Sequence, residues 1–581
     1  MSQRPSFEIG LVMAGAISAG AYTAGVVDFL IEALDEYDSA KRRPDWDGPT
    51  HDVFLPVIAG ASAGGMTAGI SALELFRELD HVWPERPEPR PERNRLYSSW
   101  VKDISIERLL ETSDLRGGRG KQGVVSALCC DVLDEIVARA FEVTSTAIQR
   151  PWVGGPGGVP LKLLLTISNL RGVPYAFDLL GGSEARYGML NHGDYLEFDV
   201  AQGASGGSGL DPTDLAKAPA QFKAACLATG AFPIGLAPRA LKQRFGDYKT
   251  GERVVYTDSN GNFHCVPPAS LVADDTEYAF TAVDGGLIDN EPFELARRTL
   301  SGGANVHNPP DGDKARKAVL LVDPFPNVPV LPPPGSDRRL VSTVKALLPT
   351  LIDQARFKPD ELGPALNDRV YSRFVIAPVS EIGGSKLPIA CGSLGGFGGF
   401  LHESFRRHDY LLGRRNAQAF LRWHFALPET NPLFSKFDVG RRAGWYVKEP
   451  NKQSGSISQK ADRTLSTKPF AATVVPAGQE EKGLPIIPLT KKMLEPIELK
   501  PTDRPKPKSV NTDTLRGLID ERAKVVLSTI VDQDLKDLLS AWKPFDFVLR
   551  KGAVAYGRRI VTTAAIQHIE RALADVSSSF G

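Results

Sequence analysis

Short apolar runs alternate with helical segments over the first half of this chain, and this alternation most constrains its fold. The apolar runs have the length of buried strands and span residues 7–13, 53–59, 161–167, 278–283 and 318–322. The helical segments span residues 21–36, 65–78, 124–141, 214–228 and 290–300. Strands that are apolar on both faces are typical of a parallel sheet covered by helices. We therefore predict an α/β fold, with three α/β/α layers around a mainly parallel central sheet.

The uncharged stretch 9–27 allows a second interpretation, as a membrane span or a secretory signal. Glu8 and Asp28 bracket this stretch closely, and its interior is rich in Gly, Ala, Ser and Thr, which transfer poorly into lipid. We therefore expect a buried strand, a glycine-containing turn and an amphipathic helix here.

A chain of 581 residues is long for one domain. We predict a catalytic domain over residues 1–330 and a mixed helical extension, packed on that core, over 331–448. Residues 449–510 are rich in Pro, Lys and Ser, which predicts an irregular segment. Helical periodicity returns over 511–581, so we expect a helical C-terminal tail.

One pentapeptide, Gly60-Ala61-Ser62-Ala63-Gly64, joins the second apolar run to a helical stretch of small residues. A serine in this G-x-S-x-G pattern between a strand and a helix is typical of a nucleophile elbow, a strained turn that needs small neighbours. The serine also falls at the carboxyl end of its strand, where such sheets carry catalytic groups. The sequence therefore predicts Ser62 as a nucleophile.

The G-x-S-x-G pattern occurs a second time, at residues 203–207. This copy lies in a polar stretch rich in Gly and Ser that ends in Asp211-Pro212, and no helical segment follows it directly. We therefore predict a loop around Ser205 rather than a second elbow.

Asp284 is the candidate base, because a serine hydroxyl is a poor nucleophile until a neighbouring group takes its proton. It follows the apolar run 278–283 directly, at the end of a predicted strand. Gly285 and Gly286 come next and leave the carboxylate unhindered.

A nucleophilic serine also requires N–H donors for the oxyanion that forms on the acyl group. The loop between the first predicted strand and the first predicted helix can supply backbone donors of this kind. The candidate oxyanion-hole residues are Gly15, Ala16, Ile17 and Ser18.

These three features together resemble the patatin-like phospholipase family, over about residues 7–330. The motifs that carry the resemblance are residues 15–25, which end in Gly-Ala-Tyr-Thr-Ala-Gly, then 60–64, Ala-Thr-Gly-Ala-Phe-Pro at 228–233, Asp-Gly-Gly at 284–286, and 287–292. The family usually carries an Arg or Lys in the first of these loops, where this chain has Ile17, Ser18 and Ala19.

The resemblance implies a patatin-like core and a catalytic Ser-Asp dyad without histidine. Ser62 would attack the acyl carbonyl and form a covalent acyl-enzyme, and Asp284 would accept the serine proton and later help to deliver water. The loop over 15–18 would bind the oxyanion. The predicted function is a serine-dependent lipid acyl hydrolase of the phospholipase A or esterase type.

Two alternatives stay open at this point. His402, His408 and His424 follow Asp284 in the chain order of α/β-hydrolases, so a Ser-His-Asp esterase is one of them. The other is a weakly active or inactive patatin-like effector, which senses a lipid or an interaction partner.

Charge and cysteine content limit the partners. Lys plus Arg and Asp plus Glu both total 69, so the net charge does not favour a nucleic-acid partner. Five cysteines, an odd number without zinc spacing, suit a reducing compartment. We expect a cytoplasmic protein, peripheral at the membrane, with no metal and no organic cofactor. The resemblance implies a phospholipid or another acyl lipid as substrate, and transient contact with a membrane surface.

Overall fold

The computed structural model describes residues 4–116, 123–142, 147–178, 186–219, 221–250, 253–259, 262–325, 370–379, 387–447, 483–534 and 546–580, with a few positions between 343 and 354. Its strands are β1 (Ser6–Met13), β2 (Asp52–Gly60), β3 (Leu161–Asp178), β4 (Arg186–Val200), β5 (Gly209–Leu210), β6 (Arg239–Arg244), β7 (Val255–Thr257), β8 (Phe263–Cys265), β9 (Glu277–Asp284), β10 (Lys317–Val322), β11 (Arg373–Ile376), β12 (Ala426–Pro428) and β13 (Gly483–Pro485).

The longer helices are α1 (Gly20–Ala40), α2 (Ser62–Glu74), α3 (Asp131–Ala140), α4 (Gln221–Ala228), α5 (Phe293–Ser301), α6 (Glu403–Trp423), α7 (Thr512–Thr529) and α8 (Asp546–Phe580). Shorter α-helical turns span Arg95–Tyr97, Ile106–Leu109 and Asp247–Thr250. A π-helical turn, Ile530–Asp534, directly follows α7.

A nine-stranded sheet forms the centre of the molecule, with β11, β10, β1, β2, β3, β4 and β5 side by side in this order. The first five of these strands pair in parallel. Strand β4 is antiparallel to β3, and β9 is antiparallel to both β3 and β6. Among the described strands, the centre of the sheet is therefore parallel and its other side mixed.

Helices cover both faces of this sheet. Leu11 and Met13 of β1 point into the larger core, which includes side chains of α1, α2 and α6. Val12, between them, points into a smaller core with Phe293 and Leu300 of α5. Alternation along a strand thus gives two buried faces, and the predicted α/β/α architecture with a mainly parallel sheet is confirmed.

The strand predictions hold in position but not always in direction. The predicted run 278–283 lies in β9, which is antiparallel to β3 instead of continuing the parallel sheet. Strand β4 was not predicted, because Gly, Asn, His and Asp interrupt its apolar residues and its outer half is exposed.

Two helix predictions were wrong in their first halves. Helix α3 begins at Asp131 and not at 124, because the N–H groups of residues 127–129 donate to carbonyl groups of other segments, those of Ile234, Gly235 and Leu109. Helix α4 begins at Gln221 and not at 214, since Pro219 disfavours a helical residue before it.

The extension beyond residue 330 packs against the core where it is described. Strand β11 adds an edge strand beside β10, and α6 lies along α1. Arg414 of α6 is fully buried between the carboxylates of Asp28 and Glu32 on α1. The domain boundaries remain a prediction, and most of the predicted irregular segment, residues 449–482, lies outside the described ranges.

Within the described ranges, one helical stretch, Ile17–Ala40, is long and apolar enough to cross a membrane, and 94% of its most apolar window is buried inside the protein. It follows β1, as expected for a core helix.

The second G-x-S-x-G copy, at 203–207, lies in the turn between β4 and β5, and all three of its glycines have positive φ. The loop predicted around Ser205 is therefore confirmed.

Candidate active site

Ser62 lies in a strained turn between β2 and α2. Strand β2 ends at Gly60, Ala61 is extended, and α2 begins at Ser62 itself, three residues earlier than the predicted helix. The φ of Ser62 is +52°, in the left-handed region that residues with a side chain rarely adopt. Strain of this kind is typical of a nucleophile elbow, which holds the serine at the top of a sheet.

Gly60 and Gly64 are required because neighbouring backbone leaves no space for a side chain. A Cβ atom on Gly60 would lie 2.6 Å from the carbonyl oxygen of Gly64. One on Gly64 would lie 2.2 Å from the carbonyl oxygen of Met13, at the end of β1. The two glycines therefore let the elbow pack directly onto the neighbouring strand.

Asp284 contacts Ser62 directly. The Ser62 hydroxyl donates a hydrogen bond of 2.7 Å to Oδ2 of Asp284, and the N–H of Gly286 donates one of 2.7 Å to Oδ1. Burial raises the pKa of Asp284 to about 7, although the bonds from Ser62 and Gly286 act in the opposite direction. A carboxylate with this pKa and this contact can take the serine proton near neutral pH.

The route by which Asp284 reaches Ser62 differs from the one predicted. Strand β3 is parallel to β2 and continues past its end, so that Leu165 pairs with Gly60 and Ile167 pairs with Asp284. Because β9 is antiparallel to β3, it runs in the opposite direction to β2, and it ends near the edge of the sheet at which β2 ends. Its carboxyl end therefore meets the carboxyl end of β2.

Thr229 joins the two halves of this pair and was missed as a site residue. Its hydroxyl oxygen accepts a hydrogen bond of 3.1 Å from the N–H of Ser62, and its carbonyl oxygen accepts one of 3.1 Å from the N–H of Gly285. The side chain is fully buried. Its place in the Ala-Thr-Gly-Ala-Phe-Pro motif was the available signal, although the motif alone does not reveal which atoms it bonds.

Gly285 and Gly286 follow Asp284 where space is limited. A Cβ atom on Gly285 would lie 2.3 Å from the carbonyl oxygen of Thr166, and one on Gly286 would lie 2.6 Å from Oδ1 of Asn290. These contacts explain why the turn after the aspartate has no side chains.

The loop that was predicted to bind an oxyanion borders the same site, but its residues differ in role. Gly15, Ala16 and Ile17 line a cavity together with Ser62. The N–H of Gly15 already donates to the carbonyl of Asn290 (3.1 Å), so Gly15 provides space and not a free donor. Ser18 is buried, and it lines neither of the described cavities at Ser62.

Two cavities meet at Ser62 and Asp284. One has a volume of about 290 Å³, and its wall is formed by Gly15, Ala16, Ile17, Phe232, Gly286, Leu287, Asn290, Phe325, Gly392, Gly395 and Gly396. The other is small, about 40 Å³, and its wall is formed by Ile17, Ala63, Met66, Trp100, Ile104, Leu109, Leu128, Leu133, Gly230, Phe232, Leu236, Phe397 and Phe400. The second wall is almost entirely apolar.

Histidine and basic residues are absent from the described linings of both cavities. His402 caps the start of α6 and accepts from the N–H of Ser404. His408 is buried beside Asp409, and His424 lies at the end of the helix. The structure therefore does not bring the three candidate histidines into the walls around Ser62.

Among the described residues, no group of three or more His, Cys, Asp or Glu side chains has an arrangement that could hold a metal ion.

No protein-family model matches this chain. The chain is 38% identical over 483 residues to an uncharacterized protein, y4iI, of Sinorhizobium fredii (strain NBRC 101917 / NGR234), and the match covers 74% of this chain. It covers 66% of that protein, slightly less than two thirds of its length.

Among solved structures, the chain has a distant similarity to VipD from Legionella pneumophila. The identity is 12%, the match covers 70% of this chain and 71% of VipD, and the TM-score is 0.21. A TM-score this low does not indicate a shared fold or activity.

Proposed function

We propose that this protein is a patatin-like lipid acyl hydrolase, of the phospholipase A or esterase type, that uses a Ser62–Asp284 dyad. The observation that carries the proposal is the 2.7 Å hydrogen bond from the hydroxyl of Ser62 to Oδ2 of Asp284. The strained backbone of Ser62 and the raised pKa of Asp284 support the same roles.

In the proposed reaction, Ser62 Oγ attacks the acyl carbonyl carbon while its proton moves to Asp284. The oxyanion is bound by N–H groups of Ala16 and Ile17 and of Ala63, which follows the nucleophile in the first turn of α2. The carbonyl then re-forms, the ester C–O bond breaks, and the proton on Asp284 passes to the leaving alcohol. Water, deprotonated by Asp284, then attacks the acyl-enzyme. The bond from Ser62 Oγ to the acyl carbon breaks, the proton passes from Asp284 to Ser62 Oγ, and the fatty acid is released.

The two cavities suggest where the parts of an ester substrate bind. The small apolar cavity suits an acyl chain, since its wall carries Trp100, Met66 and several leucines. The larger cavity has more polar surroundings, including the backbone of the 15–17 loop and Asn290, and suits the alcohol part. Ser62 lies between the two, where the scissile carbonyl would have to be.

An exposed apolar arm supports the proposal of contact with a membrane surface. Beyond Leu165, β3 continues past the sheet edge at which Ser62 lies, and Val173–Asp178 pairs with the start of β4. We give the name hairpin arm to the paired residues 173–178 and 186–191 together with the bulge at 169–172. Its exposed apolar side chains are Leu170, Tyr187, Met189 and Leu190. Exposed apolar side chains on a strand pair that extends past the sheet edge at Ser62 suit contact with a bilayer as the source of substrate.

Lipid profiling tests the proposed function. A mixed membrane lipid extract is incubated with the wild-type protein and, separately, with Ser62→Ala, and free fatty acids and deacylated lipids are measured by mass spectrometry. We expect both product classes to accumulate with the wild-type protein only. Equal product levels with both proteins, or none with either, would contradict the proposal.

A further inference from the structure

A glycine-rich segment of the extension forms part of the wall around Ser62. This segment, residues 390–401, consists of 3₁₀ turns before α6. Gly392, Gly395 and Gly396 border the larger cavity, whereas Phe397 and Phe400 border the small apolar one. The site therefore depends on residues that lie outside the region of family resemblance.

Hydrogen bonds fix the segment 390–401 on both sides. The hydroxyl of Ser18 donates to the carbonyl of Gly396 (2.5 Å) and accepts from the N–H of Gly399 (3.0 Å). Oδ1 and Oδ2 of Asp409 accept from the N–H groups of Ala390 (3.0 Å) and Cys391 (2.7 Å). The buried Ser18 thus ties the segment to the loop that borders the nucleophile.

A third contact holds the end of the same segment. The guanidinium of Arg406, buried in α6, donates to the carbonyl of Gly399 (2.7 Å) and to that of Val101 (3.0 Å). Side chains from both parts of the protein therefore bond to the backbone of Gly399, Ser18 from the core and Arg406 from the extension, and they fix the position of Phe400, the next residue.

The aromatic side chains that close the apolar cavity pack edge to face. The rings of Phe232 and Phe397 lie 6.4 Å apart at 78°, and those of Phe397 and Phe400 lie 5.9 Å apart at 69°. Trp100, on the same wall, lies so close to Gly20 of α1 that a Cβ atom there would be 2.4 Å from its ring. Phe397 and Phe400 thus help to limit the space of about 40 Å³ that this cavity offers an acyl chain.

We propose that Phe397 and Phe400 determine how long an acyl chain the site accepts. This inference rests on the proposed function, because it assigns the small cavity to the acyl chain. Replacing either ring by a smaller side chain enlarges the cavity, since hydrogen bonds fix the backbone of the segment that carries both rings.

The test compares p-nitrophenyl acetate, butyrate, octanoate and palmitate as substrates. The wild-type protein gives the reference ratio of kcat/KM for octanoate to kcat/KM for acetate. Phe400→Ala should raise the octanoate-to-acetate ratio of kcat/KM by about tenfold or more, because one methylene in an apolar pocket is worth roughly 10- to 200-fold. Phe400→Leu, a milder change, should shift the ratio in the same direction. It replaces Phe400→Ala in the test if the alanine variant does not fold.

Phe405→Leu is the matched control. Phe405 is fully buried in a separate apolar cluster with Ala390, Val576 and Phe580 and does not border either cavity. This variant should lower the melting temperature and leave the chain-length ratio as in the wild type.

One result would overturn the inference and leave the proposed function intact. It is an unchanged octanoate-to-acetate ratio of kcat/KM in both Phe400 variants while acetate turnover still requires Ser62. If Ser62→Ala hydrolyses the esters as fast as the wild type, the proposed function itself fails.

Discussion

The hydroxyl of Ser62 lies 2.7 Å from Oδ2 of Asp284, although 222 residues separate the two along the chain. Both side chains are buried. One buried threonine, Thr229, accepts hydrogen bonds from the N–H of Ser62 and from the N–H of Gly285, the residue after Asp284. The pair is thus fixed by the fold before any substrate binds, as positioned catalytic groups require.

The pH dependence of turnover should follow the ionisation of Asp284. Because burial raises its pKa to about 7, the carboxyl is largely protonated below that pH and cannot accept the serine proton. We expect kcat/KM for a soluble short-chain ester to rise with pH and level off above about 7, measured between about pH 5 and about pH 9. A flat profile down to pH 5 would contradict Asp284 as the base.

Asp284→Asn should become more stabilising, relative to the wild type, as the pH rises. The folded-state pKa of Asp284 is raised, so the stability that the protonated carboxyl provides below about pH 4 is lost as the pH rises toward about 7. Asparagine does not ionise and avoids this loss, which is on the order of 4 kcal/mol for a shift of this size.

Urea unfolding of the wild type and Asp284→Asn between about pH 4 and about pH 8 measures this difference. Ser62→Ala is the control, because it keeps the carboxyl and should keep the loss of stability with rising pH. An Asp284→Asn effect that is the same at all pH values would show that the carboxyl titrates normally.

Thr229→Val should impair turnover more than folding. Valine has the shape of threonine but leaves the N–H of Ser62 without its acceptor, so the strained turn is free to shift. A displacement of the nucleophile by about 1 Å costs on the order of 10²-fold in rate. We expect kcat to fall by about this factor, and Thr229→Ser, which restores the hydroxyl, to recover most of it.

Thr67→Val provides the comparison for Thr229. Thr67 is also fully buried, and its hydroxyl donates to a helix carbonyl, that of Ala63, and not to the Ser62–Asp284 pair. Its loss should cost stability alone. If both valine variants reduce kcat equally, Thr229 has no special positioning role.

Leu190→Glu should reduce turnover on bilayers but not in solution. Leu190 is exposed on the hairpin arm, and a carboxylate there would oppose burial in an apolar interface. We expect lower binding to phosphatidylcholine vesicles in a sedimentation assay and an unchanged rate on p-nitrophenyl butyrate. Val439→Glu, at a more exposed apolar position outside the arm, should change neither value.

Local sequence pattern was sufficient for the strand-to-helix turn at Ser62 and for the layered core. Ser62 was predictable because the elbow depends on neighbours within two residues, Gly60 and Gly64, and on the apolar strand before it. Asp284 was predictable from its position after a strand, but the antiparallel course of β9 was not, since a strand's direction depends on distant partners.

The walls of the site were not predictable in the same way. Phe397 and Phe400 reach the cavity because Ser18 bonds to Gly396, 378 residues further along the chain. No periodicity or motif reveals a contact of that separation. The same limit applies to Gly15, whose N–H was expected to bind an oxyanion and instead bonds to the carbonyl of Asn290.

Covalent labelling of Ser62 tests the Ser62–Asp284 dyad most directly. The folded wild type, Ser62→Ala and Asp284→Asn are incubated with a fluorophosphonate, and adducts are followed by intact mass and located by peptide mapping. We predict one adduct at Ser62 in the wild type, none in Ser62→Ala, and labelling slowed by about 10²-fold or more in Asp284→Asn, the range that a general base contributes. The absence of an adduct on the folded wild type, or labelling of Asp284→Asn at the wild-type rate, would contradict the dyad.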